Sequence, residues 1–333
     1  MPKKIAVAIL NWNGRALLER FLPKVVEHSP EGQIYLVDND SADDSIAWCQ
    51  QAYPTVKIIA LDGNYGYAGG YNRAMPQIEE ELVVLLNSDI ETTPNWLAPI
   101  IEAFESDSEL GAAQPKLHDL KKPGFFEYAG AAGGRMDNLA YPFCQGRIFE
   151  DLEEDHGQYD QNTELFWASG ASIIVRKKAF EAVGKLYEPL FAHMEEIDLC
   201  WRMQLHGWNI RLVPQSTVKH LGGATLQSAS PQKTYLNFRN SLMINFLNLP
   251  HKEALPNILS RLILDGIAGL RFLAQGKFSH MVAIIRAHFA FYGAFNQLFL
   301  EKRKRPALPF QSLSGVYAGS ILWAYFVKGI KKS

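Results

Sequence analysis

Leu82-Val83-Val84-Leu85-Leu86-Asn87-Ser88-Asp89 is the stretch that decides the fold. Five large apolar residues in a row, closed by polar turn formers, read as a strand covered on both faces. Such strands belong to parallel sheets flanked by helices. Toward the N-terminus, residues 5–10 repeat the pattern, 15–26 are helix-like, and 34–37 and 56–61 are two further strands. Ser41 with Asp44 three residues on predicts a capped helix between those two. Gly63, Gly66, Gly69 and Gly70 form a turn that leads into a short helix ending near Met75. Toward the C-terminus, a helix is expected from Pro94 to about residue 107. Helices are also expected at 177–183 and 197–206, with short strands at 210–213 and 218–220. Residues 111–175 hold several short strand candidates and an acidic loop at 150–160. From about Pro231 onward the chain reads as helical. Strands alternating with helices at this spacing predict an α/β fold with right-handed βαβ units and a mostly parallel sheet.

Composition limits the function class. The chain has 333 residues, 47% apolar and 20% charged, with a net charge of −2. These values exclude a disordered, collagen-like or small disulfide-stapled chain. At about 150 residues per domain, two domains are expected. Residues 1–249 carry 21 Lys and Arg against 32 Asp and Glu, a net of −11, whereas residues 250–333 carry 12 against three, a net of +9. The near-neutral total argues against a nucleic-acid-coating protein, but the asymmetry points to a charged partner surface. A boundary near residue 240 divides an acidic body, 1–240, from a basic helical region, 241–333. Cys49, Cys144 and Cys200 are too few and scattered for a disulfide framework or a zinc cluster and fit a reducing compartment. No signal peptide and no uncharged apolar run of about 18 residues is visible, so a cytoplasmic location without a spanning helix is expected.

The strand ends carry the chemistry. Ligands of open α/β sheets bind beyond the carboxyl ends of the strands. Those ends read Asn11-Trp12-Asn13-Gly14, Asp38-Asn39-Asp40-Ser41, Asp62-Gly63-Asn64 and Asn87-Ser88-Asp89. Any one of them is an ordinary turn; four along one edge outline a pocket. The segment from Asn64 to Gly70 lacks the G-x-G-x-x-G spacing and follows the third strand, so a nicotinamide site is rejected, while close approach of backbone to a nucleotide remains open. Asp89 can reach a divalent cation that bridges a diphosphate. Glu195-Glu196-Ile197-Asp198 opens a helix. The three carboxylates suit its N-terminus electrostatically, and crowding raises their pKa values toward those of a general base. His220 ends a short strand.

In order, these segments resemble the family-2 glycosyltransferases of GT-A fold, in the bacterial branch that includes rhamnosyltransferases of surface-polysaccharide assembly. The matching stretches are Ile9 to Gly14, Val37 to Ser41, Asn64 to Asn72, Leu86 to Asp89, Ser169-Gly170-Ala171 with Arg176, Glu195 to Arg202, and Val218-Lys219-His220. Each is short; their order over roughly residues 3–245 carries the resemblance. It implies a Rossmann-like GT-A catalytic domain and an inverting, metal-dependent transfer of a sugar from a nucleotide-diphosphate donor, dTDP-rhamnose or a UDP-sugar. The acceptor implied is a hydroxyl of a saccharide or lipid-linked saccharide.

The resemblance also implies roles. Asp38 would meet the base or ribose, and Asn11 and Asn13 would line that pocket. Asn64, Gly66 and Asn72 would close over the nucleoside. Asn87 and Ser88 would face the donor, Asp89 and His220 would hold Mg²⁺ or Mn²⁺, and Arg239 would approach the diphosphate. Gly170, Ala171 and Trp201 would meet the acceptor. Glu196 would be the catalytic base, with Asp198 and Glu195 as runners-up. Gly184-Lys185-Leu186-Tyr187-Glu188 departs from the usual Gly-Gly-Phe-Asp-Glu, and so do three single positions: Asn87 and Glu196, each usually Asp, and Met194, usually Tyr. They keep a non-catalytic sugar-nucleotide-binding protein as the alternative. A nucleotidyltransferase would want a Gly- and Arg-rich loop where Asn11 to Gly14 stands.

The basic region has an expected role too. Arg261, Arg271, Lys277, Arg286 and the run Lys302 to Arg305 would meet anionic headgroups at the inner membrane face. Leu262, Phe272, Phe289, Phe291, Phe299, Trp323 and Phe326 would dip into the interface. Packing on the catalytic body is the competing expectation.

Overall fold

Alternate residues of the central strands face two different apolar layers. Ile5, Val7 and Ile9 pack on one side of the sheet with Leu82, Val84 and Leu86, and Ala6, Ala8, Val83 and Leu85 pack on the other. All are essentially inaccessible, as strands covered on both faces must be. The computed structural model describes residues 3–222 and 230–332. Its elements run β1 (Ile5–Asn11), α1 (Arg15–His28), β2 (Gly32–Asp38), α2 (Ser45–Ala52), β3 (Lys57–Ala60), α3 (Gly66–Ala74), β4 (Leu82–Asn87), β5 (Ile90–Thr92), α4 (Leu97–Ser106) and β6 (Leu110–Asp119). Four short strands follow: β7 (Gly134–Asp137), β8 (Pro142–Cys144), β9 (Arg147–Ile148) and β10 (Asp151–Leu152). Then come β11 (Ser172–Arg176), α5 (Lys177–Ala182), α6 (Glu195–Leu205), β12 (Asn209–His220), α7 (Pro231–Asn248), α8 (His251–Ala274), α9 (Phe278–Gly293), α10 (Phe295–Lys302), β13 (Val316–Tyr317) and α11 (Ile321–Phe326).

The main sheet has the order β3-β2-β1-β4-β11-β6-β12-β5. The pairs from β3 to β4 are parallel, as is β6 with β12, whereas β11 and β5 run against their neighbours. Because β11 is reversed, its start lies beside the end of β4: Ser172 pairs with Leu86, and the Asn87 amide donates to the Ala171 carbonyl at 3.0 Å. β5 reverses against β12 with Ile90 opposite His220, which brings Asp89 alongside that histidine. The polar ends of β1, β2 and β4, the Gly170 loop and His220 thus share one edge.

Four sequence expectations change in detail. Ser41 does not cap α2, which starts at Ser45; its hydroxyl donates instead to Asp38 at 2.7 Å. The two short strands near 210–220 are one strand, with a register shift between Val213 and Thr217. Helix α7 runs through residue 240, and one apolar layer joins Leu242, Ile244, Leu298 and Phe310 to the sheet. The C-terminal region is also not helical throughout: β13 pairs in parallel with β7 and extends the second, five-stranded sheet.

Candidate active site

The donor edge is built from hydrogen bonds between neighbouring strand ends. Asn11 at the end of β1 donates to the Asp38 carboxylate at 2.9 Å, and Asp38 also accepts from the Ser41 amide at 2.8 Å. Asn11 and Asp38 are almost wholly buried. The Asn13 side chain accepts from the Ala42 amide at 2.7 Å, and its own amide donates to the Ser41 hydroxyl at 2.9 Å. Gly14 has a steric reason: a Cβ there would lie 2.3 Å from Asn11 Oδ1. Trp12, half-exposed, is the one large apolar residue of the Asn11 to Gly14 loop. Asn64 accepts from the Gly66 amide at 3.0 Å, and Gly66 takes a φ of +66° with Phe191 packed 3.0 Å from where its Cβ would be.

Asn72 and Arg239, expected at the nucleoside and the diphosphate, are occupied elsewhere. Asn72 Nδ2 donates to the Leu186 carbonyl and to Glu188, and its oxygen accepts from the Leu186 amide. Arg239 donates to the carbonyls of Pro189 and Leu190, both at 3.0 Å. The neighbouring Asn240 donates to the carbonyls of Leu190, Ala192 and His193. Together they hold the chain leading into α6, where Phe191, His193 and Met194 all have positive φ. Non-glycine residues hold that backbone shape only when their surroundings enforce it.

Asp89 and His220 lie in contact, and the structure adds Glu127. His220 Nε2 lies 3.1 Å from Asp89 and Nδ1 lies 3.1 Å from Glu127, all three buried. Burial opposes a charge on His220, but the hydrogen bonds and charge of Asp89 and Glu127 overcome it and raise its pKa to about 10. Sequence reasoning missed Glu127. The one signal available was an acid set among aromatic neighbours, Phe125-Phe126-Glu127-Tyr128. Among the described residues, no group of three or more His, Cys, Asp or Glu side chains surrounds a common metal position. The donor chemistry nonetheless fits a cation shared with a diphosphate. Asp89 and His220 are the pair that would hold such a cation, His220 after giving up the proton it shares with Asp89 and Glu127.

The first turn of α6 separates its acids. Glu195 is buried with Oε2 lacking a hydrogen-bond partner among the described residues, while Glu196 is half-buried. Burial raises the Glu196 pKa to about 7, and burial with the neighbouring Glu196 charge raises Glu195 further. Glu196 faces the Gly170 loop: a Cβ on Gly170 would sit 3.6 Å from its carboxyl carbon. The Tyr67 hydroxyl donates to the Gly170 carbonyl at 2.8 Å and fixes that loop. Positions 196 and 198 are about 200° apart around a helix, so Asp198 points away. Its carboxylate is fully buried and engages Arg202 at 2.8 Å, Arg305 at 2.6 Å and Asn248 at 2.9 Å. Burial alone would raise its pKa, but the two guanidinium groups and Asn248 bring it to about 2. Trp201, expected at the acceptor, is a core residue between Phe166 and Phe310.

With this geometry in place, comparison with known proteins becomes informative. The family model described as Glycosyl transferase family 2 matches residues 6–184, more than half of the chain. The chain belongs to glycosyl transferase family 2. It is 25% identical over 235 residues, 66% of this chain and 76% of the relative, to the N-acetylglucosaminyl-diphospho-decaprenol L-rhamnosyltransferase of Mycobacterium tuberculosis. Many solved structures share its fold. GalNAc-T7 with UDP, GalNAc and Mn²⁺ superposes with a TM-score of 0.59 at 15% identity, covering 74% of this chain and 48% of that one. The 1–349 fragment of S. aureus TarS with UDP-GlcNAc superposes with a TM-score of 0.58 at 16% identity, covering 90% and 83%. The fold is therefore GT-A, with a helical C-terminal region, and the chain is a glycosyltransferase.

Proposed function

We propose that the protein transfers a sugar from a nucleotide-diphosphate donor to a hydroxyl of a saccharide or lipid-linked saccharide, with inversion at the anomeric carbon. The observation that carries this reading is Glu196: a half-buried carboxyl with its pKa raised to about 7, facing the Gly170 loop beside the ends of the strands. A group with that pKa is matched to taking a proton from an alcohol near neutrality. The nucleotide lies along the Asn11, Asn13 and Asn64 edge, with Trp12 available to stack on the base. Asp38 acts through Asn11 and Ser41, which it holds. Asn87, Ser88 and the Gly170–Ala171 turn sit between nucleotide and acceptor. The acceptor hydroxyl, deprotonated by Glu196, attacks the anomeric carbon from the face opposite the diphosphate; the new C–O bond forms as the bond to the diphosphate oxygen breaks. Asp89 and His220 are the groups to hold Mg²⁺ or Mn²⁺, which when bound supplies positive charge to the leaving diphosphate. Rhamnose as the donor sugar and a diphospholipid-linked acceptor are supported by the mycobacterial relative's name.

The test is a donor screen by thermal shift with Mn²⁺, followed by transfer assays of wild type and Glu196→Gln. Donor binding by both with transfer only by wild type supports the assignment. Full transfer by the variant refutes Glu196 as base, and donor binding without any turnover by wild type assigns the chain to sugar-nucleotide binding.

A further inference from the structure

Helix α8 shows an apolar stripe on the side where a packed helix should be polar. Its inner face is set by Ala254, Ile258, Arg261, Asp265 and Gly269, all buried. The opposite face carries Leu255, Leu259, Ile263, Ile267 and Leu270, all more than half exposed, with Ile263 at 68%. The spacing of four, four, four and three residues keeps them on one line about 22 Å long. Helix α9 repeats the arrangement. Ala283, Ile284, Ala287 and Phe291 are buried, while Phe278, Ile285, Phe289 and Tyr292 are exposed, Phe289 at 70%. The α11 segment adds Trp323 and Phe326, and Phe326 lies 5.1 Å from the Arg271 guanidinium of α8. A soluble monomer rarely leaves so much contiguous apolar surface uncovered.

The charges around this surface decide its partner. Exposed cations flank it at Lys252, Arg271, Lys277, Arg286 and Lys328, while Lys331 is paired with Asp151. Of the three acids beyond residue 249, Asp265 is buried against His288 and Glu301 is paired with Lys304, which leaves Glu253. Apolar side chains bordered by cations match a bilayer with anionic headgroups, which offers hydrocarbon and negative charge at adjacent depths. A second copy of the chain would present the same cations and be repelled. The basic residues that the sequence placed at such a surface are in part elsewhere. Arg261 is buried on Tyr141 and Ser241, Lys302 donates to the carbonyls of Phe246 and Leu249, Arg305 is bound to Asp198, and Phe291 is core.

We infer that the outer face of α8, α9 and α11 is a peripheral docking surface for an anionic lipid bilayer, with Leu255 to Leu270 of α8 and Phe278 to Tyr292 of α9 entering the interface. The inference goes beyond the transfer reading and stands on the surface alone. It is tested by flotation of the full chain with vesicles of phosphatidylglycerol and phosphatidylcholine, against phosphatidylcholine alone. Binding to the anionic vesicles, weakened by added salt, is expected. The double variant Ile263→Glu/Ile267→Glu should partition at least about tenfold less, with its melting temperature and donor-induced thermal shift unchanged. Arg271→Glu should weaken binding several-fold, and less at high salt. Failure of wild type to float with anionic vesicles, or variants that float like wild type, would overturn the inference. So would a concentration-dependent dimer by light scattering that the double variant abolishes. Loss of transfer with intact vesicle binding would refute the proposed chemistry and leave the surface standing.

Discussion

The donor edge and the acid-bearing helix are held in opposite ways. At the edge, Asn11, Asp38 and Ser41 hold one another across adjacent strands, with partners no more than 30 residues apart. Helix α6 is anchored from afar: Asn240 and Arg239 fix the turn before it, and Arg305 reaches Asp198 across 107 residues. One region is a local product of βαβ folding; the other requires the C-terminal region. Within α6 the contrast repeats at shorter range. Glu196 has burial without a cation and a raised pKa, whereas two residues later Asp198 has burial with two cations and a lowered one. Counter-charge, more than burial, decides which acid stays poised and which becomes structural.

The contrast can be broken first at Glu196. Glu196→Gln should reduce transfer about a hundred- to ten-thousandfold and preserve donor-induced thermal shift. Because the ionised form is penalised in the fold, the same variant should melt higher than wild type above pH 7. A merely structural glutamate would show the rise without the split between donor binding and transfer. Next is Arg305→Ala. It takes one of two cations from a fully buried carboxylate, and losing a partner of such a pair costs about 3–5 kcal/mol. Denaturant melts should show the loss, with donor affinity falling far less. Asn11→Ala should cost about 1.5–3 kcal/mol, since it removes a hydrogen bond to a buried carboxylate, and donor titration should show weakened binding in parallel.

The smallest effects are in pH dependence, where the two acids should diverge in sign. Asp198 lies at about 2 in the fold against an ordinary 3.8. Its contribution, about 2 kcal/mol, is present in full above pH ~4 and lost as pH falls through the folded value. Glu196 is shifted upward, so the fold gains stability from it as pH falls below about 7, while transfer declines over the same range. Stability and rate measured from pH 5 to 8 should therefore run in opposite directions.

Most of the edge was legible in the sequence because its signals are local. An apolar strand and the polar residues that end it are neighbours in the chain, so β1, β2, β3 and β4 and their terminal Asn and Asp residues could be read together. Register across the sheet is not local. Glu127 becomes a partner of His220 only because β6 and β12 lie side by side, and the segment around it reads as an ordinary loop. The run Lys302 to Arg305 read as a basic run for anionic headgroups because its neutralising groups are distant in sequence: Asp198 for Arg305 and two carbonyls for Lys302. Trp201 and Asp198 lie away from the Gly170 loop for a geometric reason. A motif names a turn of helix, and only one side of that turn faces the pocket.

Arg305 and the β13 segment give the chain's synthesis a direction. The Ile321 amide donates to Asp137 across 184 residues, and Val316 and Tyr317 close the strip beside β7. A ribosome adding about 5–20 residues per second needs roughly 5–20 s to travel from residue 198 to residue 305. Over that interval the nascent chain already has Asn11, Asp38 and Ser41, but Asp198 stands without its second guanidinium. A chain stopped before residue 305 would keep the Asn11–Asp38–Ser41 network and lack one of the two cations that seat α6.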